Sequence, residues 1–258
     1  RAVRGDLPVG YGAVDDREST RAIRRALDLG INFFDTADEY GCGHSERVLG
    51  AALSGQKNDV IVSSKFGFTF NEQTREVLGK DASPAYIRRA CEASLRRLGR
   101  DYLDIYLLHI RDLPYAEAGM ARDTLESLAA EGMIRWYGWS TDDVERARFF
   151  AEGAHCAVIE HRLNVLLDAP EMLALCEEQD LGSVNRIPLL MGVLTGKYTS
   201  DHLPPDDDVR SMFFSHSGFA GDVARIQRVK DILTGGGRSL AQGALLWILS
   251  RSPRAVPI

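Results

Sequence analysis

Apolar, strand-like runs alternate with helix-patterned segments at intervals of roughly 25–30 residues, and this alternation constrains the fold more than any other feature of the chain. INFFDTA, Val60–Ser64, DYLDIYLLH, MIRWYGWS, AVIEH, the LGSVNRIPLL stretch up to Pro188 and the terminal Arg254–Ile258 read as strands. Helices are expected between them. The first is capped by Asp15, with Glu18 completing a capping box, carries Ala22, Ile23, Ala26 and Leu27 at helical spacing, and stops at Gly30. Others are expected over Ser45–Leu53, after the Ser83-Pro84 start with Ile87, Cys91, Leu95 and Leu98 on one face, over about Ala116–Ala130, Asp142–Ala151 and Ala169–Gln179, and from the Ser239/Gln242 capping box through Ile248. Repeated strand–helix units imply a parallel sheet with right-handed crossovers. Seven strands follow residue 31, and an eighth is expected before the first helix. The expected fold is therefore a single (β/α)8 barrel over residues 1–258, a closed parallel sheet with outer helices. A doubly wound open sheet is the alternative, weakened because no G-x-G-x-x-G follows an early strand. The polar stretch over residues 199–222 reads as a loop that would form a flap over the site.

In parallel α/β folds the C-terminal strand ends carry the site. Here Asp35 and Tyr40 follow the first of these strands, Lys65 the second and His109 the third. Singly, each has an ordinary reading: a rim ion pair for Asp35 and Lys65, a packed tyrosine, a core histidine. Together, at three consecutive strand ends, they read as a proton-donating centre suited to carbonyl reduction. Such a reduction needs a hydride for carbon and a proton for oxygen. A phenol ionises near pH 10 and donates well only if that value is drawn toward the working pH, which a neighbouring Lys65 ammonium would do. Asp35 would keep Lys65 charged against the pull of burial, and His109 would hydrogen-bond and orient the substrate oxygen.

The formal net charge of -6, with no long Lys/Arg run, argues against nucleic-acid binding. No apolar stretch approaches the roughly 20 residues of a membrane helix, and no signal-peptide pattern opens the sequence. Cys42, Cys91, Cys156 and Cys176 are scattered without a C-x-x-C pair, which fits reduced thiols in a cytoplasmic protein better than a disulfide framework or a metal site.

INFFDTADEYGCGHSERVLGAAL, then SSKFG, DYLDIYLLH, PLLMGVLTGKY and the final AVPI resemble the aldo-keto reductase family over nearly the whole chain. The resemblance implies an (α/β)8 barrel without metal, a catalytic tetrad of Asp35, Tyr40, Lys65 and His109 with the tyrosine as general acid, and NADPH, less often NADH, lying across the C-terminal face. It also implies cofactor contacts. Ser140 and Thr141 stand where the nicotinamide carboxamide is bound, with Thr141 in place of the common Asn, and Glu160 stands where the family usually has Gln. Asn185 or Arg186 replaces a frequent stacking aromatic, and Arg186 would stack instead. Leu189, Gly192, Leu194 and Lys197 match a loop that wraps the pyrophosphate. The resemblance is abrupt around residues 8–14, 210–222 and past Ile258, so cofactor loops and C-terminal helices of the family are expected to be missing.

The expected activity is NAD(P)H-dependent reduction of a small aldehyde, ketone or sugar. Two alternatives stay open: a sugar-modifying or epimerising enzyme that uses tightly held NAD(P) as a redox group, and a non-catalytic regulatory subunit on the same fold. Trp136, Trp139, Met212, Phe213 and Phe214 are candidates for an apolar substrate pocket.

Overall fold

A computed structural model describes residues 2–55, 60–198, 202–214 and 219–258. In chain order the strands are β1 (Val3–Arg4), β2 (Leu7–Pro8), β3 (Phe33–Asp35), β4 (Ile61–Phe66), β5 (Phe68–Asn71), β6 (Glu76–Lys80), β7 (Leu103–Leu108), β8 (Ile134–Ser140), β9 (Cys156–Arg162), β10 (Gly182–Arg186) and β11 (Ala255–Pro257). The helices are α1 (Asp16–Asp28), α2 (His44–Ala52), α3 (Pro84–Leu98), α4 (Tyr115–Ala130), α5 (Val144–Ala151), α6 (Pro170–Glu178), α7 (Arg210–Phe214), α8 (Phe219–Thr234) and α9 (Leu240–Arg251).

Seven strands form one parallel sheet in the order β11-β10-β9-β8-β7-β4-β3, each joined to its neighbour in sequence by at least one helix. The N-caps stand where they were expected. Asp15 accepts from the Arg17 and Glu18 amides, without the return bond from Asp15 N to the Glu18 side chain that the expected capping box requires, Ser83 accepts from Tyr86 with Pro84 in the first turn, and Ser239 and Gln242 form a reciprocal capping box.

Side-chain alternation along the strands separates two apolar populations. Phe34, Val62, Phe66, Tyr106, Leu108, Trp139 and Ile159 point outward into the main core beneath the helices, with Leu95, Leu125, Phe150 and Cys176. Phe33, Ile105, Leu107, Val158, Val184 and Ile258 form a separate inner cluster. Phe33 lies on one edge strand and Ile258 just past the other, so their common cluster means the sheet curls around its interior. This is the barrel-type α/β architecture, with helices around a curled parallel sheet. Gly138 allows one tight step of the curl: a Cβ there would lie 2.0 Å from the Val158 carbonyl oxygen, beside a register irregularity between β8 and β9.

Two expectations need correction. The strand expected before α1 does not join the curled sheet among the described residues. Instead β1 and β2 pair with the β5–β6 hairpin in a small sheet of order β2-β1-β6-β5. The Val3 amide bonds the Arg75 carbonyl at the hairpin tip, and Gly10 and Tyr11 are engaged with Val209 and Asp208. The stretch expected to be a flap is largely structured where it is described. It holds α7 and the start of α8, with Arg210 paired to Asp208 and lying over Tyr11 and Tyr198. Residues 199–201 and 215–218 of that stretch lie outside the described residues.

Candidate active site

The inner cluster fixes what lies above it. Two residues beyond Phe33 comes Asp35, two beyond Leu107 comes His109, two beyond Val158 comes Glu160, and two beyond Val184 comes Arg186. A period of two keeps all of them on the interior side. Lys65 on β4 and Ser140 at the end of β8 complete a ring of polar side chains at the C-terminal strand ends.

Lys65 is the centre of this ring, and its side chain is 1% exposed. Its ammonium pairs with the Asp35 carboxylate, donates to the Thr36 carbonyl oxygen at 3.0 Å and lies 3.2 Å from Glu160 Oε2. Burial favours the neutral amine, but the carboxylates of Asp35 and Glu160 outweigh it, so the ammonium is held above its ordinary pKa. Burial pushes the Asp35 carboxyl up to about 6, with Lys65 opposing and Glu160 adding to the rise.

Tyr40 follows β3 by five residues and is 40% exposed. Lys65 Nζ lies 5.4 Å from its ring centroid, and the His109 ring meets it edge-on at 6.0 Å. The structure corrects one electrostatic expectation here. Lys65 does pull the phenol down, but removal from water and the carboxylates of Asp35, Glu160 and Glu39 push it up by more, leaving Tyr40 above its ordinary pKa. His109 is buried, its amide bonded to Phe66 O at 2.8 Å and its ring edge-on to Phe68. Burial first, then the charges of Lys65, Arg111, Arg186 and Arg4, hold its imidazole well below the ordinary value, so it is neutral at physiological pH.

The four tetrad candidates are thus together. The candidates for cofactor contact divide into two groups. Ser140 Oγ donates to Glu160 Oε1 at 2.8 Å, so both Glu160 oxygens face protein groups. Thr141 Oγ1 donates to the Arg111 carbonyl and accepts from the Asp143 amide. Arg186 projects into the site, held by Asp142 Oδ2 at 2.6 Å, while its buried Nε has no partner. Leu189, Gly192, Leu194 and Lys197 lie in or beside a tight stretch over Leu190–Thr195 in which Leu190, Met191 and Gly192 all take positive φ. Leu194 is buried in a satellite core with Val193, Tyr198 and Phe214, and its amide bonds Leu189 O at 3.1 Å. Gly192 packs against the Tyr198 ring, where a Cβ would come within 3.0 Å.

Three residues escaped the sequence reading. Asp142 holds both Arg186 and Arg162, and its signal was its place directly after the GWST strand end. Glu39 approaches His109 Nδ1 at 3.4 Å and pairs with Arg4. Arg111 contributes charge to His109 and Arg186. Two aromatic candidates lie elsewhere. Trp139 is fully buried on the helix side of β8, its indole N–H bonded to the Ile110 carbonyl at 2.9 Å. Trp136 lies against His155, near the N-terminal end of β9. Phe214 belongs to the satellite core that Phe213 packs against, and Met212 is 41% exposed.

The arrangement is a buried, carboxylate-flanked lysine under a phenol and a neutral imidazole, at the C-terminal ends of a curled parallel sheet. Comparison with known proteins places it. The profile of the Aldo/keto reductase family matches residues 5–258. The chain is 30% identical over 260 residues to an NADH-specific methylglyoxal reductase of Escherichia coli, covering 96% of this chain and 80% of that protein. It is similar in structure to a glycerol dehydrogenase from Gluconobacter oxydans, with TM-score 0.81 and 32% identity over 96% of this chain and 78% of that one. It is also similar to an aldo/keto reductase from Klebsiella pneumoniae solved in complex with NADP and acetate, with TM-score 0.68 and 29% identity over 98% of this chain and 77% of that one. With a matching profile over nearly its full length and the ring of strand-end residues in place, the chain belongs to the aldo/keto reductase family of oxidoreductases.

Proposed function

We propose that the chain reduces an aldehyde or ketone to an alcohol, with Tyr40 as the general acid, Lys65 and Asp35 setting its proton affinity, and His109 orienting the carbonyl. The observation that carries this reading is the retained ammonium of Lys65, buried against Asp35 and 5.4 Å from the Tyr40 ring centroid. The partly exposed Tyr40 donates its proton to the carbonyl oxygen as negative charge develops there. Lys65 stabilises the phenolate left behind, and water restores the proton through the open side. A neutral imidazole gives an N–H to the same oxygen without competing as an acid.

The carbon receives hydride, which NADPH, or NADH as the alternative, supplies when bound. The residues present fit such a group in two respects. The unpartnered Nε of Arg186 is a donor free for a carboxamide oxygen or a ring face, and Ser140 Oγ keeps acceptor capacity for an amide N–H. The Leu189–Lys197 stretch, with its strained backbone at Leu190 and Met191, would hold the phosphates. The substrate is a small-molecule carbonyl compound.

The test follows loss of reduced-nicotinamide absorbance, with NADPH and NADH in turn, against a panel of simple aldehydes and ketones. Turnover is expected with the unsubstituted chain and a loss of about 10²–10⁴-fold in Tyr40→Phe, the range of a general acid. Equal turnover in both would remove Tyr40 from the chemistry.

A further inference from the structure

We propose that the carbonyl substrate carries an anionic group, a carboxylate or a phosphate ester, which Arg4 and Arg111 bind at the rim of the site while the carbonyl oxygen lies between Tyr40 and His109. The proposal rests on the reading of the site as a carbonyl reductase and names the substrate class of that site. What carries it is the short path from Arg4 to the imidazole. Glu39 spans the two, with Oε2 3.4 Å from Arg4 Nη2 and Oε1 3.4 Å from His109 Nδ1. Phe68 spans them a second time, its ring centroid 4.9 Å from the Arg4 guanidinium carbon and its ring edge-on to His109 at 5.5 Å. One side chain therefore bridges Arg4 and the imidazole, so a substrate of a few carbon atoms reaches from one to the other.

The small sheet puts Arg4 there. β1 pairs with β6 at Val3 and Glu76, and Ala2 is buried with Cys42 and Val77 in a satellite core against which Phe68 packs. Period-two alternation carries Arg4 to the same side as Ala2, toward the turn that holds Tyr40 and Cys42. The Arg4 guanidinium is half exposed and gives one hydrogen bond to Glu39, which leaves further donors of its planar fork for a second oxyanion. Arg111 lies two residues past His109, is exposed, and forms no ion pair among the described residues. The charges of both arginines act on His109 and on Glu39.

The charges of the site fall in two layers. The buried layer sets the Lys65 ammonium against the carboxylates of Asp35 and Glu160. The rim layer sets the guanidiniums of Arg4, Arg111 and Arg186 against Glu39 and Asp142, with Lys80 and Asp112 paired beside it. The rim is a cationic spot on a chain whose formal net charge is -6, and such a spot draws anions in and holds them by charge-assisted hydrogen bonds. The stretch proposed for the cofactor phosphates follows β10, whereas Arg4 lies with Phe68, just past β4, and with His109, just past β7. The two cationic places belong to different strand ends, and the one at Arg4 fits an anion on the substrate.

The experiment compares aldehydes matched except in charge: succinic semialdehyde against its amide, and glyceraldehyde phosphate against glyceraldehyde. In the unsubstituted chain kcat/KM is expected to favour a charged member over its neutral partner by about tenfold or more, and the pair that shows it tells carboxylate from phosphate ester. In Arg4→Gln that preference is expected to fall about tenfold, in Arg111→Gln by less, and Arg4→Lys, which keeps the charge without the fork, retains part of it. If Arg4→Gln does not fold, Arg111→Gln is read against the same outcomes. No preference for either charged aldehyde, or equal losses on charged and neutral members in the variants, would overturn the proposal. Titration with NADPH is the second readout: affinity is expected to hold within about twofold in Arg4→Gln, and a loss of about tenfold or more would assign Arg4 to the cofactor and overturn the substrate role. The third is calorimetric binding of the corresponding alcohols with NADPH present, a combination with nothing to turn over. A chain inactive on every carbonyl would defeat the reductase reading. Tighter binding of a charged alcohol, lost in Arg4→Gln, would still support the anion site, and equal binding of charged and neutral alcohols would overturn it.

Discussion

The rings of Tyr40 and His109 meet edge to face, centroids 6.0 Å apart at an interplanar angle of 76°, so that a phenol and a neutral imidazole border the same space. This arrangement separates the role of orienting the carbonyl from that of protonating it. His109→Ala should lower kcat/KM by about 10²-fold while the Tyr40 ionisation stays in place. Because burial and four neighbouring cations keep His109 neutral, no limb of the kcat/KM profile as pH crosses 6.5 should belong to His109, and a limb from Asp35, whose carboxyl is raised to about 6, should persist in His109→Ala. A limb near that pH that vanishes in His109→Ala would show that the imidazole titrates after all.

Removing Lys65 leaves Asp35 and Glu160 facing each other without a cation. Lys65→Met should destabilise the fold by about 3–5 kcal/mol at neutral pH, the usual cost of breaking a buried ion pair from one side. Glu160→Gln on top of Lys65→Met should recover part of that loss. Denaturant unfolding of the single and double variants gives the coupling, and additive effects would mean that the three groups do not share one electrostatic cluster.

Arg186 is held at the site by Asp142, whose Oδ2 accepts its Nη2 hydrogen bond at 2.6 Å. Asp142 accepts from Arg162 as well, at 2.8 Å from both the backbone amide and Nε, so it anchors the ends of two adjacent strands. Asp142→Asn weakens both guanidinium contacts and should raise the Kd for NADPH by about tenfold, with a small change in stability. Fluorescence titration of the cofactor checks this. An unchanged Kd would exclude Arg186 from the cofactor site.

The strand-end residues were readable because period-two alternation and strand termini are local properties. Asp35, Lys65 and His109 needed no tertiary information to be placed on one face. The closeness of Glu160 to Lys65 was not legible because it is set by the curl of the sheet, which brings β9 toward β4 across two intervening strands. The β5–β6 hairpin was missed because its strands are mostly exposed or half-buried and its turn, Glu72–Arg75, carries no Gly or Pro, with Arg75 itself at φ +58°. The N-terminal strands went to that hairpin for the same reason: their pairing is decided by a partner more than sixty residues away. Trp139 looked like pocket material, but it alternates outward between Gly138 and Ser140, a consequence legible in the strand once its inward set is known.

His161 offers the clearest pH test of the scaffold. It alternates outward from Glu160 and is 1% exposed, with Nε2 2.8 Å from Ser183 Oγ and Asn185 closing the network. Burial lowers its pKa to about 4 from the ordinary 6.5. The folded chain therefore resists protonating it while the unfolded chain does not. The stability this gives is complete above pH 6.5 and is lost progressively as pH falls toward 4, by up to about 3 kcal/mol. Asp35 acts in the opposite sense, since its raised carboxyl favours the fold toward acid between its ordinary value and about 6. His161→Gln keeps a hydrogen-bonding side chain and removes the titration. Urea unfolding at pH 7 and pH 4.5 should show a smaller acid loss in His161→Gln than in the unsubstituted chain, and parallel losses in the two would assign the acid sensitivity to other groups.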